Sequence, residues 1–211
     1  MMYDAILFDL DGTLIDTESL AVAAGLVAFA TAGHPVDLAF LHQLVGIDGP
    51  TSAGIITAHR PQIDLPQLDT LWRQGFEDRM RDGLTLKPGV TELLTHARHL
   101  PRVLVTSSRR SDAHSKLGMV GLDQTFAHVV TVDDVVNAKP HPEPYLLAAT
   151  LLGVAPARCL VFEDSEAGAQ AAHRAGMVVV QVPDVVPSEG KWAHHLAQDI
   201  LAGARAAGLI A

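Results

Sequence analysis

The 211-residue sequence predicts an α/β fold, a Rossmann-like parallel sheet with helices on both faces, carrying a small inserted α-helical domain. Three observations predict it. Ala5 to Phe8 is a continuous apolar run of strand length, broken by Asp9-Leu10-Asp11-Gly12, as expected of a buried parallel strand running into a turn. From Lys87 onward, apolar strand-like runs alternate with helical periodicity, which implies a parallel sheet covered on both faces. Between Thr17 and Gly83 the pattern reads as helices joined by short loops, with no strand evident. The first strand therefore belongs with the later half, giving a core of residues 1–16 and 84–211 and an insertion of residues 17–83.

Within the insertion, one helix runs from about Thr17 to Ala32 and stops at Gly33-His34-Pro35. A second starts at the cap candidate Asp37 and ends before Gly46. A third begins near Pro50 and stops before Pro61, and a fourth runs from near Pro66 to Gly83. Proline near a start and glycine just past an end are the expected punctuation. Trp72, Phe76 and Met80 fall four residues apart and are read as packing within this domain.

In the core, a helix after Pro88-Gly89 carries Val90, Leu93, Leu94 and Ala97 at helical spacing, and Arg102 to Val105 follow as a strand. A helix from about Ser111 leads to Gly118, and His128 to Val132 form the next strand. Glu143 to Leu152 form a helix ended by Gly153, Arg158 to Phe162 a strand, Ser165 to Ala175 a helix ended by Gly176, and Met177 to Val182 the last core strand. His194 and His195 are placed side by side on a helix, facing apart.

Composition narrows the function classes. At 48% hydrophobic and 18% charged residues, the chain is that of a globular protein able to bury a full core. Its 15 Lys+Arg against 24 Asp+Glu leave a net charge of −9, which argues against nucleic-acid and anionic-membrane partners. Any phosphate site must be made locally. The uncharged stretch from Ser19 to Pro35 is interrupted by Gly25, Thr31, Gly33 and His34, so it is read as a packed helix, and as a possible self-interface, rather than a membrane span. Asp4 stands where a secretory leader needs a basic residue. The lone Cys159 excludes an internal disulfide and is read as a small core residue, so the cytoplasm is the expected compartment.

In an open parallel sheet, ligands bind outside the carboxyl ends of the strands. After the first strand come Asp9 and Asp11. After Arg102 to Val105 come Thr106, Ser107 and Ser108, and after Arg158 to Phe162 come Glu163, Asp164 and Ser165; Lys139 lies in the loop after the His128 strand, just before Pro140. Carboxylates are costly to bury alone, so those at the end of a core strand imply a cation, a proton or a chemical task. Aspartates in a turn commonly bond only to nearby amides. That simpler account does not predict carboxylates, hydroxyls and a lysine converging on one edge.

With these residues the chain resembles the haloacid dehalogenase superfamily of phosphotransferases, in the branch of sugar phosphatases and β-phosphoglucomutase. All four motif positions are filled: Asp9-Leu10-Asp11-Gly12-Thr13, Thr106, Lys139-Pro140 and Glu163-Asp164-Ser165. The resemblance covers Tyr3 to about Val182, and the helical insertion matches the branch's small mobile cap in position and size. It implies that Asp9 attacks phosphorus to give an aspartyl phosphate and that Asp11 moves the protons. It further implies that Mg²⁺ is held by Asp9, Asp164 and the Asp11 carbonyl with Glu163 nearby, that Lys139 offsets charge, and that Thr106 donates to a phosphoryl oxygen. Backbone amides around Gly12, Thr13 and Ser107 form an anion nest in this reading, and Ser108, Arg109, Gly46 and Asp48 join them as substrate contacts. Glycine at both links to the insertion suits a hinge that opens and closes.

The sequence departs from a mutase of this branch. Where the resemblance places a histidine and a cap-loop arginine, this chain has Ala21 and the stretch Gly46-Ile47-Asp48-Gly49-Pro50, and its first Lys or Arg is Arg60. A second phosphate would meet no basic residue there. The expected enzyme is therefore a phosphatase of a small phosphorylated metabolite, a sugar or polyol phosphate, acting as a monomer or homodimer. A phosphomutase is the alternative, and a non-catalytic phosphate-binding module the reading from a different class. Arg110 and His141 are read as surface residues.

Overall fold

The computed structural model describes residues 3–45 and 49–211. The chain divides into two compact units, Met1–Ile15 with Thr85–Ala211, and Asp16–Leu84.

The larger unit is built on a six-stranded sheet in the order β3-β2-β1-β4-β5-β6, parallel throughout: β1 (Ala5–Phe8), β2 (Arg102–Val105), β3 (His128–Val130), β4 (Cys159–Glu163), β5 (Val178–Gln181) and β6 (His195–Leu196). Every residue of β1 is buried, as the unbroken apolar run requires of a strand covered on both faces. It pairs with β2 on one side and β4 on the other, so strand order reverses beside it. A crevice opens outside the carboxyl ends of the strands at such a reversal.

One sheet face packs Leu7, Val103, Val105 and Val161 against Tyr145, Ala148 and Ala149 of α7 (Glu143–Leu152) and Ala169, Ala171 and Ala172 of α8 (Glu166–Arg174). On the other face Phe8 stacks on Phe162 at 5.3 Å between ring centroids, with Phe126 edge-on at 6.2 Å. The remaining helices of this unit are α5 (Val90–His96), α6 (Arg110–Met119) and α9 (Ile200–Ala206).

The smaller unit contains α1 (Glu18–Thr31), α2 (Leu38–His42), α3 (Gly49–His59) and α4 (Leu65–Gly83). Its core gathers Val22, Phe29, Phe40, Leu41, Ile56 and Leu68. Gly25 lets α1 lie flush on Trp72, because a Cβ there would stand 2.7 Å from the indole. The indole N–H donates to the Ala21 carbonyl at 2.8 Å. Trp72 thus packs as its helical spacing predicts, and no described helix is long and apolar enough to cross a membrane.

Several boundaries differ from the sequence reading. The His128 strand stops at Val130, because Thr131 and Asp134 form a capping box that starts a 3₁₀ turn. Strand β4 extends one residue further, placing Glu163 inside the sheet opposite Gln181. Met177 to Val182 is not the last strand, and His195 lies on a strand rather than a helix. The two-residue β6 hydrogen-bonds along β5 through His194 N to Val179 O and Ala197 N to Gln181 O, both at 2.9 Å.

Helix α9 then closes over β5 through Gly203. A Cβ at that position would meet Val180 Cγ1 at 2.3 Å. Gly203→Ala should therefore destabilise the protein by about 1–3 kcal/mol, read as a lowered urea midpoint; a parent-like midpoint would mean α9 does not seat on Val180.

Candidate active site

Each acidic group at the sheet edge is positioned by a strand end. Asp9 follows β1 and donates its backbone N–H to Phe162 O at 3.0 Å, which fixes it beside the end of β4. Its side chain is 10% exposed, and Oδ1 accepts from Lys139 Nζ at 2.7 Å. The same ammonium donates to Glu163 Oε1 at 2.6 Å and to the Val105 carbonyl at 2.8 Å, so all three of its protons are used.

Glu163 is fully buried and saturated. Tyr145 OH donates to Oε1 at 2.7 Å, while Ser165 Oγ and N donate to Oε2 at 3.0 and 3.3 Å. Space for it exists only because residue 168 is glycine, where a Cβ would fall 1.8 Å from Oε1. Ser165 in turn caps α8 by accepting from Gly168 N.

Burial, reinforced by the negative charges of Glu163 and Asp11, pushes the Asp9 carboxyl up to about 8 despite Lys139. Burial alone would lower Lys139, but Asp9 and Glu163 hold it above the ordinary lysine range. Tyr145 is raised well above its usual value, first by burial and then by the charge of Glu163. This pocket holds more negative than positive charge.

Asp9, Glu163 and Asp164 present ligand oxygens within 4.8 Å of one another. Gly12, at φ +80°, carries no Cβ where one would strike Asp164 Oδ2 at 2.4 Å. Thr13 Oγ1 donates to Asp164 Oδ1 at 3.3 Å. An all-oxygen, net-negative donor set beside a bare α-carbon fits a hard divalent cation.

Asp11 has a different environment. It is a quarter exposed; Oδ2 accepts from Ser108 Oγ and Oδ1 from Lys116 Nζ, both at 2.7 Å, and Lys116 also reaches Ser108 Oγ at 3.1 Å. Thr106, buried at the end of β2, accepts from Ser108 N at 3.0 Å, which leaves its hydroxyl proton free to point elsewhere. Ser107 and Arg109 are exposed, Arg109 as the N-cap of α6. Arg110 pairs instead with Asp134, and its N–H donates to Asp133. His141 lies near Glu143 at the start of α7. Gly46 and Asp48 fall outside the described residues.

Lys116 was missed by sequence reasoning. The signal was present: Ala113, Lys116 and Leu117 share the buried face of α6 at helical spacing, so a lysine there points inward and needs a partner. Tyr145, also missed, carries no comparable signal.

A family model for haloacid dehalogenase-like hydrolases matches residues 3–176. The chain belongs to that family. Fructose-1-phosphate phosphatase YqaB of Escherichia coli is 32% identical over 183 residues, 85% of this chain and 96% of that protein. Hexitol phosphatase A of the same organism is 33% identical over 186 residues, covering 86% and 84%. A solved family hydrolase from Deinococcus radiodurans, with bound phosphate and sodium, superimposes with a TM-score of 0.83 at 27% identity over 99% of this chain and 97% of that one.

The buried charge has a pH signature. The folded Asp9 value of about 8 lies above the 3.8 of a free aspartate, so this group's contribution to stability is complete below pH 3.8 and is lost as pH rises through 8. With a metal chelator present, the melting temperature of the parent should fall relative to that of Asp9→Asn as pH rises across that window; parallel profiles for the two proteins would contradict the burial account.

Proposed function

We propose that this hydrolase is a Mg²⁺-dependent phosphatase that cleaves a small phosphomonoester, a sugar or polyol phosphate, through an aspartyl phosphate on Asp9. The observation that carries the reading is the placement of two aspartates in contrasting environments, one buried against Lys139 and one partly exposed on Lys116 and Ser108. Two carboxyls whose surroundings differ this much suit different tasks. The names of the two Escherichia coli relatives support the substrate class.

In this mechanism Asp9 attacks phosphorus and the alcohol oxygen leaves, splitting one difficult displacement into two. Asp11 gives its proton to that oxygen and later takes one from the incoming water. Lys139 offsets the charge gathered between Asp9 and the phosphoryl group, and the Thr106 hydroxyl donates to a phosphoryl oxygen. Amides around Gly12, Thr13 and Ser107 supply further donors. Asp9, Asp164 and the Asp11 carbonyl would hold Mg²⁺, which when bound neutralises charge on the phosphoryl oxygens. Glu163, engaged by Lys139, Tyr145 and Ser165, serves mainly to aim Lys139.

The unit Asp16–Leu84 is assigned the part of the inserted cap and the choice of substrate. Ser108 and Arg109 stand at the start of α6 as further substrate contacts. Phosphatase is favoured over mutase because position 21 is alanine, its carbonyl taken by Trp72, and no basic residue precedes Arg60. The cytoplasm is the proposed compartment.

Hydrolysis of hexose and hexitol phosphates should require Mg²⁺ and vanish in Asp9→Asn, measured as released phosphate; undiminished release in that variant would remove Asp9 as nucleophile. Lys116→Met should lower kcat by about 10²-fold with KM little changed, since it disturbs proton transfer rather than binding. A parent-like kcat would make Lys116 a bystander.

A further inference from the structure

Asp184, in the segment after β5, takes no part in the chemistry above. Its Oδ1 is ion-paired with Lys87, its side chain is only 10% exposed, and its Oδ2 is closed off from solvent with no hydrogen-bond partner. A buried carboxylate oxygen left without a donor is unfavourable, and such orphans call for a missing partner. Its direction is informative. A Cβ built on Gly12 would lie 2.4 Å from Asp164 Oδ2 and 3.4 Å from Asp184 Oδ2, so the two oxygens approach the same point beside the bare α-carbon.

We propose that Asp184 belongs to the cation site as an outer acceptor, its Oδ2 taking a hydrogen bond from water in the hydration shell of the ion held at Asp164. Three features of the chain point the same way. The orphan oxygen lacks only a donor, and a small divalent ion keeps several waters whose protons are strongly polarised outward. Asp184 does not reach the ligand cluster of Asp9, Glu163 and Asp164, so its role is one step removed from the ion. Lys87, 23% exposed, holds Oδ1 and thereby turns Oδ2 toward Gly12. The sequence separation of Lys87 and Asp184 is 97 residues, so the fold itself assembles this pair. Outer partners of this kind set metal affinity by orienting what the ion binds.

The inference rests on the cation assigned under the proposed function, and the test separates the two. Mg²⁺ binding is measured by isothermal titration calorimetry on the whole chain, without substrate, for the parent, Asp164→Asn, Asp184→Ala, Asp184→Asn and Lys87→Met. Asp184→Ala should weaken binding about 10–100-fold. Asp184→Asn, which keeps a neutral acceptor, should lose less. Lys87→Met, which keeps the carboxylate but removes what aims Oδ2, should lose less than Asp184→Ala, whereas a purely structural ion pair would make it lose as much. Parent-like affinity in Asp184→Ala, or equal losses in Asp184→Ala and Lys87→Met, would overturn the inference; should the alanine variant fail to fold, parent-like affinity in Asp184→Asn does so instead. If the parent binds no Mg²⁺ and Asp164→Asn changes nothing, the cation reading itself falls and takes this inference with it.

Discussion

The ammonium of Lys139 is the constraint on which the rest of the site depends. Asp9 and Glu163 are both buried at the ends of adjacent strands, and the cation between them offsets part of what burial there costs a charge. The lysine's third proton goes to the carbonyl of Val105, so one charge ties together the ends of β1, β2 and β4. Tyr145 and Ser165 satisfy the remaining lone pairs of Glu163, and the missing side chain of Gly168 gives it room. Such a saturated network is rigid, which suits the role proposed for Asp9, attack on phosphorus in line.

Saturation stops at Asp9, the residue at which the proposed chemistry would take place. One lysine cannot balance Asp9, Glu163 and Asp164 together, and burial leaves the Asp9 carboxyl reluctant to ionise. A divalent ion and a phosphate ester would alter that balance from opposite sides. Asp11 stands outside this dense cluster of charge, on its own lysine and serine. Two lysines are thus each committed to a different aspartate, although the aspartates lie only two positions apart in sequence.

Much of this was legible in the sequence because it was locally expensive. An apolar strand that ends in Asp9-x-Asp11-Gly12 marks itself, and so does a strand that runs into Glu163-Asp164. The alternation from Lys87 onward has a strong enough period to place the sheet, and Trp72 declares its packing by spacing along α4. What escaped had no local cost. The edge strand His195–Leu196 is too short and polar to show a period and exists only because β5 offers a free edge. Lys116 is the exception: it shares the apolar face of α6 with Ala113 and Leu117, but its partner Asp11 comes to it only across 105 residues. Asp184 pairs with Lys87 across a comparable gap, and its empty acceptor is visible only once Gly12 and Asp164 are in place.

The central claim is that the carboxylate clamped by Lys139 becomes phosphorylated during turnover. Acid-quenching the enzyme against a radiolabelled hexose phosphate, followed by peptide mapping under acidic conditions, tests this directly. The account predicts acid-stable, hydroxylamine-labile label confined to the peptide that contains Asp9. Label on a peptide elsewhere, or turnover with no label retained under single-turnover conditions fast enough to resolve the burst, would contradict it.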